Sequence, residues 1–283
     1  MHSKIVKVNN IDIGNHLPFV LISGLNVIEN REITFDTASY IKKICSKLDI
    51  PFIFKASFDK ANRSSISSFR GPGIEKGLQV LSDIKNKLGI PILTDIHEPY
   101  QAKVAAEICD IIQLPAFLAR QTDLIKSMAN TKIPINIKKP QFLSPNQVIN
   151  IVNKFYSEGN ENLLICERGH CFGYDNLVVD MLGFKIIKDT CFNLPFIFDV
   201  THSLQCRNSN SKVSGGRKEQ LFELARAGTA IGIAGLFVEC HPYPNQALCD
   251  GPCALEIDRL EIFLNQIKKI DVIIKNLNPI SHI

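Results

Sequence analysis

Residues 133–167, IPINIKKPQFLSPNQVINIVNKFYSEGNENLLICE, carry the pattern that decides the fold. The run 133–138 is rich in β-branched residues and turns polar at Lys138-Lys139-Pro140, as a buried strand does at its end. Ser144-Pro145 then reads as an N-cap followed by a proline in the first helical turn. Behind it Val148, Ile151, Val152 and Phe155 recur at three-to-four spacing and make one apolar helical face. A second apolar run, 162–167, ends on Glu167. The spacing therefore predicts a strand, a helix and a second strand parallel to the first.

Working outward, the same unit recurs along the chain. Strands are predicted over residues 19–24, 51–57, 91–95, 111–116, 133–138, 162–167, 196–201 and 235–241. Helical periodicity fills the gaps. Ala38, Ile41, Ile44 and Leu48 share a face in 36–48, Gly89 ends a helix over 74–88, and Leu260, Phe263, Leu264, Ile267 and Ile274 line a last helix over 255–275. Eight strand–helix units predict an α/β fold, a (β/α)8 TIM barrel in preference to an open doubly wound sheet. The segment 4–13, with Asn9-Asn10 at its centre, predicts an N-terminal β-hairpin capping the bottom of the barrel. No linker rich in Pro, Gly or Ser divides the chain, so residues 1–283 are expected to form one catalytic domain.

Composition narrows the function classes. With 283 residues and 45% of them hydrophobic, the chain is globular rather than disordered. Its 32 Lys+Arg against 28 Asp+Glu leave a formal +4, too mild for a nucleic-acid-binding surface. The longest strongly apolar stretch, GTAIGIAGLFV at 228–238, is far shorter than the roughly 20 residues of a membrane-spanning helix. The N-terminus lacks the features of a secretory signal, which predicts a cytoplasmic protein without nucleic-acid or membrane partners. Nine cysteines, an odd number set mostly in apolar segments, read as reduced thiols. Neither Cys166 with Cys171 nor Cys249 with Cys253 has zinc-knuckle spacing.

In such a barrel, chemistry sits at the C-terminal ends of the strands. The residues expected there are Asn26; Lys55, Ser57 and Lys60; Asp95 and His97; Gln113; Lys138; Arg168; His202; Glu239 and His241. Lys55, Lys60, Lys138 and Arg168 would share one crater, with Arg63 and Arg120 close behind. Their mutual repulsion calls for a small ligand with two or more negative groups, such as a carboxylate and a phosphate. A second group, Asn26, His202, Glu239 and Asp250, converges from strands one, seven and eight. Its histidine and carboxylates could hold a divalent metal, but Asn26 would stand in the place of a fourth ligand, and an amide is a weak one for zinc or iron. FRGPG and SGGRK match no phosphate-loop pattern. Residues 207–216 read as a lid or a plain surface loop after strand seven.

Several stretches together carry a resemblance: KASFDKANRSS (55–65), IQLPAFLARQTD (112–123), KKPQF (138–142), ERGHCFGYDNLVVDM (167–181), FDVTHSLQ (198–205) and CDGP (249–252). From the hairpin to the last helix the chain resembles the 3-deoxy-D-manno-octulosonate 8-phosphate (KDO 8-phosphate) synthases. The resemblance implies a (β/α)8 barrel that condenses phosphoenolpyruvate with D-arabinose 5-phosphate and water, releasing phosphate, for lipopolysaccharide synthesis. It implies that Lys138 and Arg168, with the backbone near Ala116, hold the phosphate of phosphoenolpyruvate, and that Lys55, Ser57, Lys60 and Gln113 serve its carboxylate. Asn62, Arg63 and Ser64 would take the sugar phosphate and reach a neighbouring subunit's site in a homotetramer. Asp95, Phe117, Arg120 and Gln205 complete the implied substrate contacts, and Asn26, Lys60, Lys138, His202, Glu239 and Asp250 the implied catalytic set. Metal-dependent members carry cysteine where this chain has Asn26, which implies no metal and no cofactor. The related synthase that uses erythrose 4-phosphate typically has Lys-Pro-Arg where this chain has Lys60-Ala61-Asn62-Arg63, which favours the longer sugar. A barrel that binds sugar phosphates without catalysis is the remaining alternative.

Overall fold

Eight parallel strands close into a barrel in the computed structural model, which describes residues 3–173, 175–206 and 215–278. They are β1 (Val20–Gly24), β2 (Phe52–Lys55), β3 (Ile92–Asp95), β4 (Ile111–Leu114), β5 (Ile135–Lys138), β6 (Leu163–Glu167), β7 (Phe196–Asp199) and β8 (Gly235–His241). Each pairs with the next in sequence, and β8 pairs with both β7 and β1, which closes the ring. The outer helices are α1 (Arg31–Leu48), α2 (Ile74–Leu88), α3 (Gln101–Ala106), α4 (Thr122–Asn130), α5 (Ile149–Ser157), α6 (Met181–Thr190), α7 (Leu221–Ala230) and α8 (Leu260–Lys275). The barrel expected from the repeated unit is thus present.

Boundaries differ from the sequence reading for local reasons. α1 begins upstream of its periodic stretch because the Asn30 side chain accepts the Ile33 N–H at 2.9 Å. Ser144 makes no side-chain cap. Pro145–Gln147 forms a 3-10 turn instead, and α5 starts only at Ile149. At the far end, Leu255–Glu256 pairs with Cys240 and His241, and a 3-10 turn over Ile257–Arg259 precedes α8. Gly89 does end α2, in the left-handed conformation at φ 62° that a glycine adopts without strain.

The hairpin forms as expected. Val6–Val8 pairs antiparallel with Ile11–Ile13 across Asn9-Asn10, and Asn9 takes φ 53°, a left-handed turn geometry that asparagine tolerates. Val6, Val8 and Ile13 join the barrel's interior cluster with Val20, Ile22, Ile53, Leu93, Ile111, Leu164 and Ile197, so the hairpin plugs the bottom.

Period-two alternation positions everything that follows. Leu21, Phe54, Ile92, Ile112, Ile137, Ile165, Phe198 and Val238 pack outward with the helices in one large core. Their neighbours point inward. Apart from Asn136 on β5, the lower inward positions are apolar, and the last inward position of a strand is polar: Lys55, Asp95, Gln113, Lys138, Asp199 and Glu239. Gly24 ends β1 because a Cβ there would come within 2.0 Å of the Lys55 carbonyl oxygen.

Candidate active site

The inward ring at the strand ends is buried, yet ionised. Lys55 Nζ lies 3.0 Å from Glu239 Oε1 and 3.3 Å from the Asn26 carbonyl oxygen. Lys138 Nζ bonds Asp199 Oδ2. Two of the four expected cations therefore have carboxylate partners of their own, from β8 and β7. This corrects the expectation of an uncompensated cationic crater. The repulsion is relieved inside the protein, because an ion enclosed without a partner is strongly destabilising.

The other two cations are differently placed. Lys60 has no side-chain hydrogen bond among the described residues, and burial together with the nearby Lys55 charge lowers its pKa from the usual lysine range. Arg168 has no carboxylate within ion-pair distance among the described residues. Its Nη2 bonds Gln205 Oε1 and lies 3.4 Å from the His202 carbonyl oxygen, and its buried Nε has no partner. Of the four expected cations, these two have no carboxylate partner among the described residues.

Asp95 accepts from Ser57 Oγ and lies 3.1 Å from His97 Nε2. Burial alone would raise its pKa, but Lys60 and Lys55, with His97, hold it well below the usual carboxylate range. Gln113 Oε1 accepts from Asn136 Nδ2 at 3.0 Å.

On the opposite wall, Asp199 accepts four bonds besides that from Lys138. They come from Thr201 N (3.1 Å), Thr201 Oγ1 (3.0 Å), His202 N (2.9 Å) and His202 Nδ1 (2.6 Å). His202 and Lys138 keep Asp199 ionised despite its burial. Since a carboxylate can only accept, His202 Nδ1 carries the proton of that bond. The ring's Nε2 sits 3.8 Å from Glu239 Oε1 and 3.9 Å from Asp250 Oδ2. Asn26 Nδ2 donates to Asp250 Oδ2 at 2.6 Å. Burial opposes the Asp250 charge, but His202, Lys60, Asn26 and Arg63 lower its pKa.

The structure thus gathers Asn26, Lys55, Ser57, Lys60, Asp95, Gln113, Lys138, Arg168, His202, Gln205, Glu239 and Asp250. Ala116 is buried in a 3-10 turn just beyond β4. Arg63 is half-buried and acts on Asp250 through its charge, while Asn62 and Ser64 lie exposed on the loop after β2. Phe117 is 43% exposed, and Arg120 lines an outer cavity of about 380 Å³ with Phe142 and residues of α5, away from the strand-end ring. His241 serves the loop instead, with Nδ1 accepting from Tyr243 N and Nε2 3.3 Å from Glu29. Most of the expected lid, 207–214, lies outside the described residues. Gly215 and Gly216 pair with Cys206 and Gln205.

Sequence reasoning passed over Asp199, Asn136 and the pair Lys139–Glu167. Asn136 stands two residues before Lys138 and shares its inward parity, and Asp199 is the acidic residue within the apolar run predicted over 196–201; these were the available signals. Glu167 Oε1 accepts the backbone N–H groups of Arg168 (2.8 Å) and Gly169 (2.5 Å) and lies 3.4 Å from Lys139 Nζ, bracing the turn that carries Arg168. None of the nine cysteines is in a disulfide; Cys166 is enclosed beside Lys138, and burial pushes its thiol up to about 12.

The sequence matches the DAHP synthetase I family over residues 3–276. It is 59% identical over 276 residues to the 2-dehydro-3-deoxyphosphooctonate aldolase of Parasynechococcus marenigrum, covering 98% of each chain. To the protein of the same name from Janthinobacterium sp. it is 57% identical over 271 residues, covering 96% of each. To that of Actinobacillus pleuropneumoniae serotype 7 it is 56% identical over 281 residues, covering 99% of each.

Proposed function

The chain belongs to the DAHP synthetase I family, and from that membership we propose that it is a transferase condensing phosphoenolpyruvate with D-arabinose 5-phosphate and water. The products are 3-deoxy-D-manno-octulosonate 8-phosphate and inorganic phosphate, in KDO and lipopolysaccharide biosynthesis. The observation that carries this reading is the strand-end ring in a chain matching octonate-phosphate enzymes over nearly its full length. Phosphoenolpyruvate bears a carboxylate and a phosphate on three carbons, which suits two cations without carboxylate partners set among two that have them.

In the reaction, C3 of phosphoenolpyruvate bonds to the aldehyde carbon of the sugar, whose oxygen takes up a proton. Water adds to C2 and loses a proton, and the resulting hemiketal phosphate loses phosphate by C–O cleavage. Arg168 and Lys138 hold the phosphate with the backbone near Ala116, while Lys55, Ser57, Lys60 and Gln113 receive the carboxylate side. These charges are fixed before reaction and need no reorganisation as negative charge moves. Lys60 supplies the proton to the developing alkoxide, since a lysine with a lowered pKa releases its proton more readily. His202 Nε2, beside Glu239 and Asp250, orients the water. Asp95 fixes Ser57; Phe117 and Gln205 line the substrate path; Asn62, Arg63 and Ser64 take the sugar phosphate.

We propose that no metal is required. Asn26 donates its Nδ2–H to Asp250 at 2.6 Å, and what the side chain has left at the fourth position is a neutral amide oxygen, a weak ligand for zinc or iron. Replacing Asn26→Cys is expected to create zinc or iron binding measurable by calorimetry. A variant that binds neither would sink this reading of the cluster.

The enzyme is further proposed to be a cytoplasmic homotetramer whose sites are completed by neighbours. Arg120, outside its own chain's ring, and the exposed Ile66, Phe69, Phe142 and Phe172 on loops of the catalytic face support this. Light scattering that gives a monomer mass would overturn it. No helix among the described residues is long and apolar enough to cross a membrane.

The experiment for the whole reading is phosphate release from phosphoenolpyruvate with arabinose 5-phosphate or erythrose 4-phosphate, each with and without excess chelator. Turnover with the five-carbon sugar that survives chelation is expected. Preference for erythrose 4-phosphate would transfer the assignment to the shorter sugar, and silence with both would favour a binding protein.

A further inference from the structure

Phe237 lies at the boundary between the apolar barrel interior and the ionised ring. It is the inward residue of β8 directly below Glu239, fully buried, paired with Ile22 on β1 and Asp199 on β7, and part of the interior cluster. Its ring forms the floor of the crater. Lys138 Nζ stands 3.2 Å from the ring centroid and Lys55 Nζ 5.6 Å, with the His202 ring centroid at 5.9 Å.

A leucine could fill this space, but only an aromatic face offers a cation partial negative charge. The distinction matters because Lys138 already bonds one carboxylate, Asp199. A second carboxylate would make the group net negative and compete with an incoming anion. A phenyl face attracts the ammonium without adding a further negative charge. Lys138 is thereby held between a carboxylate and a ring, with remaining hydrogen-bonding capacity for a phosphate oxygen.

We propose that Phe237 is a positioning residue for the reaction: its π face holds the Lys138 ammonium in place to receive the phosphate of phosphoenolpyruvate. This rests on the reading that Lys138 binds that phosphate. Phe237 itself touches no reacting atom, and its contribution is electronic as well as steric.

The test uses the full-length enzyme with 4-fluoro-, 3,5-difluoro- or 3,4,5-trifluorophenylalanine incorporated at position 237 alone. Fluorination drains the ring face while nearly preserving its shape. KM for phosphoenolpyruvate is expected to climb stepwise, reaching about tenfold for the trifluoro ring. KM for the sugar phosphate and the thermal midpoint should stay level. Phe237→Leu should fall at or beyond the trifluoro point. A flat or falling KM across the series at constant thermal midpoint would show the ring to be filler. A rise in both KM values together with a loss of thermal stability would show a merely structural role. Failure of the functional reading is separable, since it appears as an unmodified enzyme that releases no phosphate from phosphoenolpyruvate.

Discussion

The two ends of the barrel enclose charge in opposite ways. At the top, Asp95, Asp199 and Asp250 face lysines, histidine or arginine, and all three have depressed pKa values although burial pushes the other way. At the bottom, Asp271 accepts from Phe19 N at 3.1 Å and lies 3.7 Å from Lys275, whose Nζ bonds the carbonyl oxygens of Asn15 and Ile233 at 2.6 Å each. There burial wins, so Asp271 is raised and Lys275 lowered. Both groups are pushed towards their neutral forms. Charge enclosed against close opposite charge stays charged, whereas charge enclosed mainly against backbone dipoles drifts towards neutrality. The top is built to meet an anion, and the bottom to tie chain ends together.

Four measurements can break or sharpen this contrast. The largest expected effect is at the top, where Arg168 has no carboxylate to leave behind. Arg168→Ala should lower kcat/KM for phosphoenolpyruvate by about 10³-fold, as loss of a preorganised charge-stabilising group does, with little change in urea midpoint. Comparable loss of stability instead would make Arg168 a structural residue.

Lys55→Met strands Glu239, whose Oε2 is already unpartnered, and should lower unfolding free energy by about 3–5 kcal/mol. The double change Lys55→Met with Glu239→Leu should recover most of that stability and remain inactive. A double variant as unstable as the single one would refute the idea that the ionised ring is kept for function rather than for folding.

Leu93→Ala, in the apolar interior, reverses the pattern. It should lower unfolding free energy by about 2–5 kcal/mol while leaving KM for both substrates unchanged at low temperature. A shifted KM would mean that the lower layers transmit strain to the ring.

The smallest effect is a pH slope. Below the unfolded carboxyl pKa of about 3.9, Asp271 is protonated in both states and costs nothing. As pH rises through its raised folded value, the unfolded state loses its proton first and the native state is destabilised relative to it. Wild type should therefore lose stability relative to Asp271→Asn between pH 4 and neutrality in urea titrations. Asp95 and Asp199 have the opposite sign. Their contribution is complete above about pH 3.9 and is lost only as pH falls through their depressed values. A parallel pair of stability curves would contradict the reading of Asp271.

Much of the architecture was legible in the chain because a barrel strand ends abruptly. An apolar run that turns polar after a few residues, followed by a three-to-four periodic stretch, is visible without any tertiary information at 133–167 and in its repeats. The Asn9-Asn10 turn was legible for the same reason. What failed locally was competition between neighbouring signals. Ser144 looked like a cap, but Pro145 opened a 3-10 turn that delayed the helix. The run to Thr201 looked continuous, but Asp199 draws the following N–H groups onto its own carboxylate and ends β7 there.

The sequence by itself determined the eight units, the inward parity that lines Lys55, Asp95, Gln113, Lys138 and Glu239 along one rim, and the resemblance that names their substrates. Period-two alternation and turn chemistry are local, so the chain displays them directly. Only the tertiary structure decided which cations are already neutralised, which remain for an anion, and that one phenyl ring lies beneath two lysines. Lys138 and Asp199 are 61 positions apart and Lys55 and Glu239 are 184 apart, and only closure of the ring brings them within bonding distance.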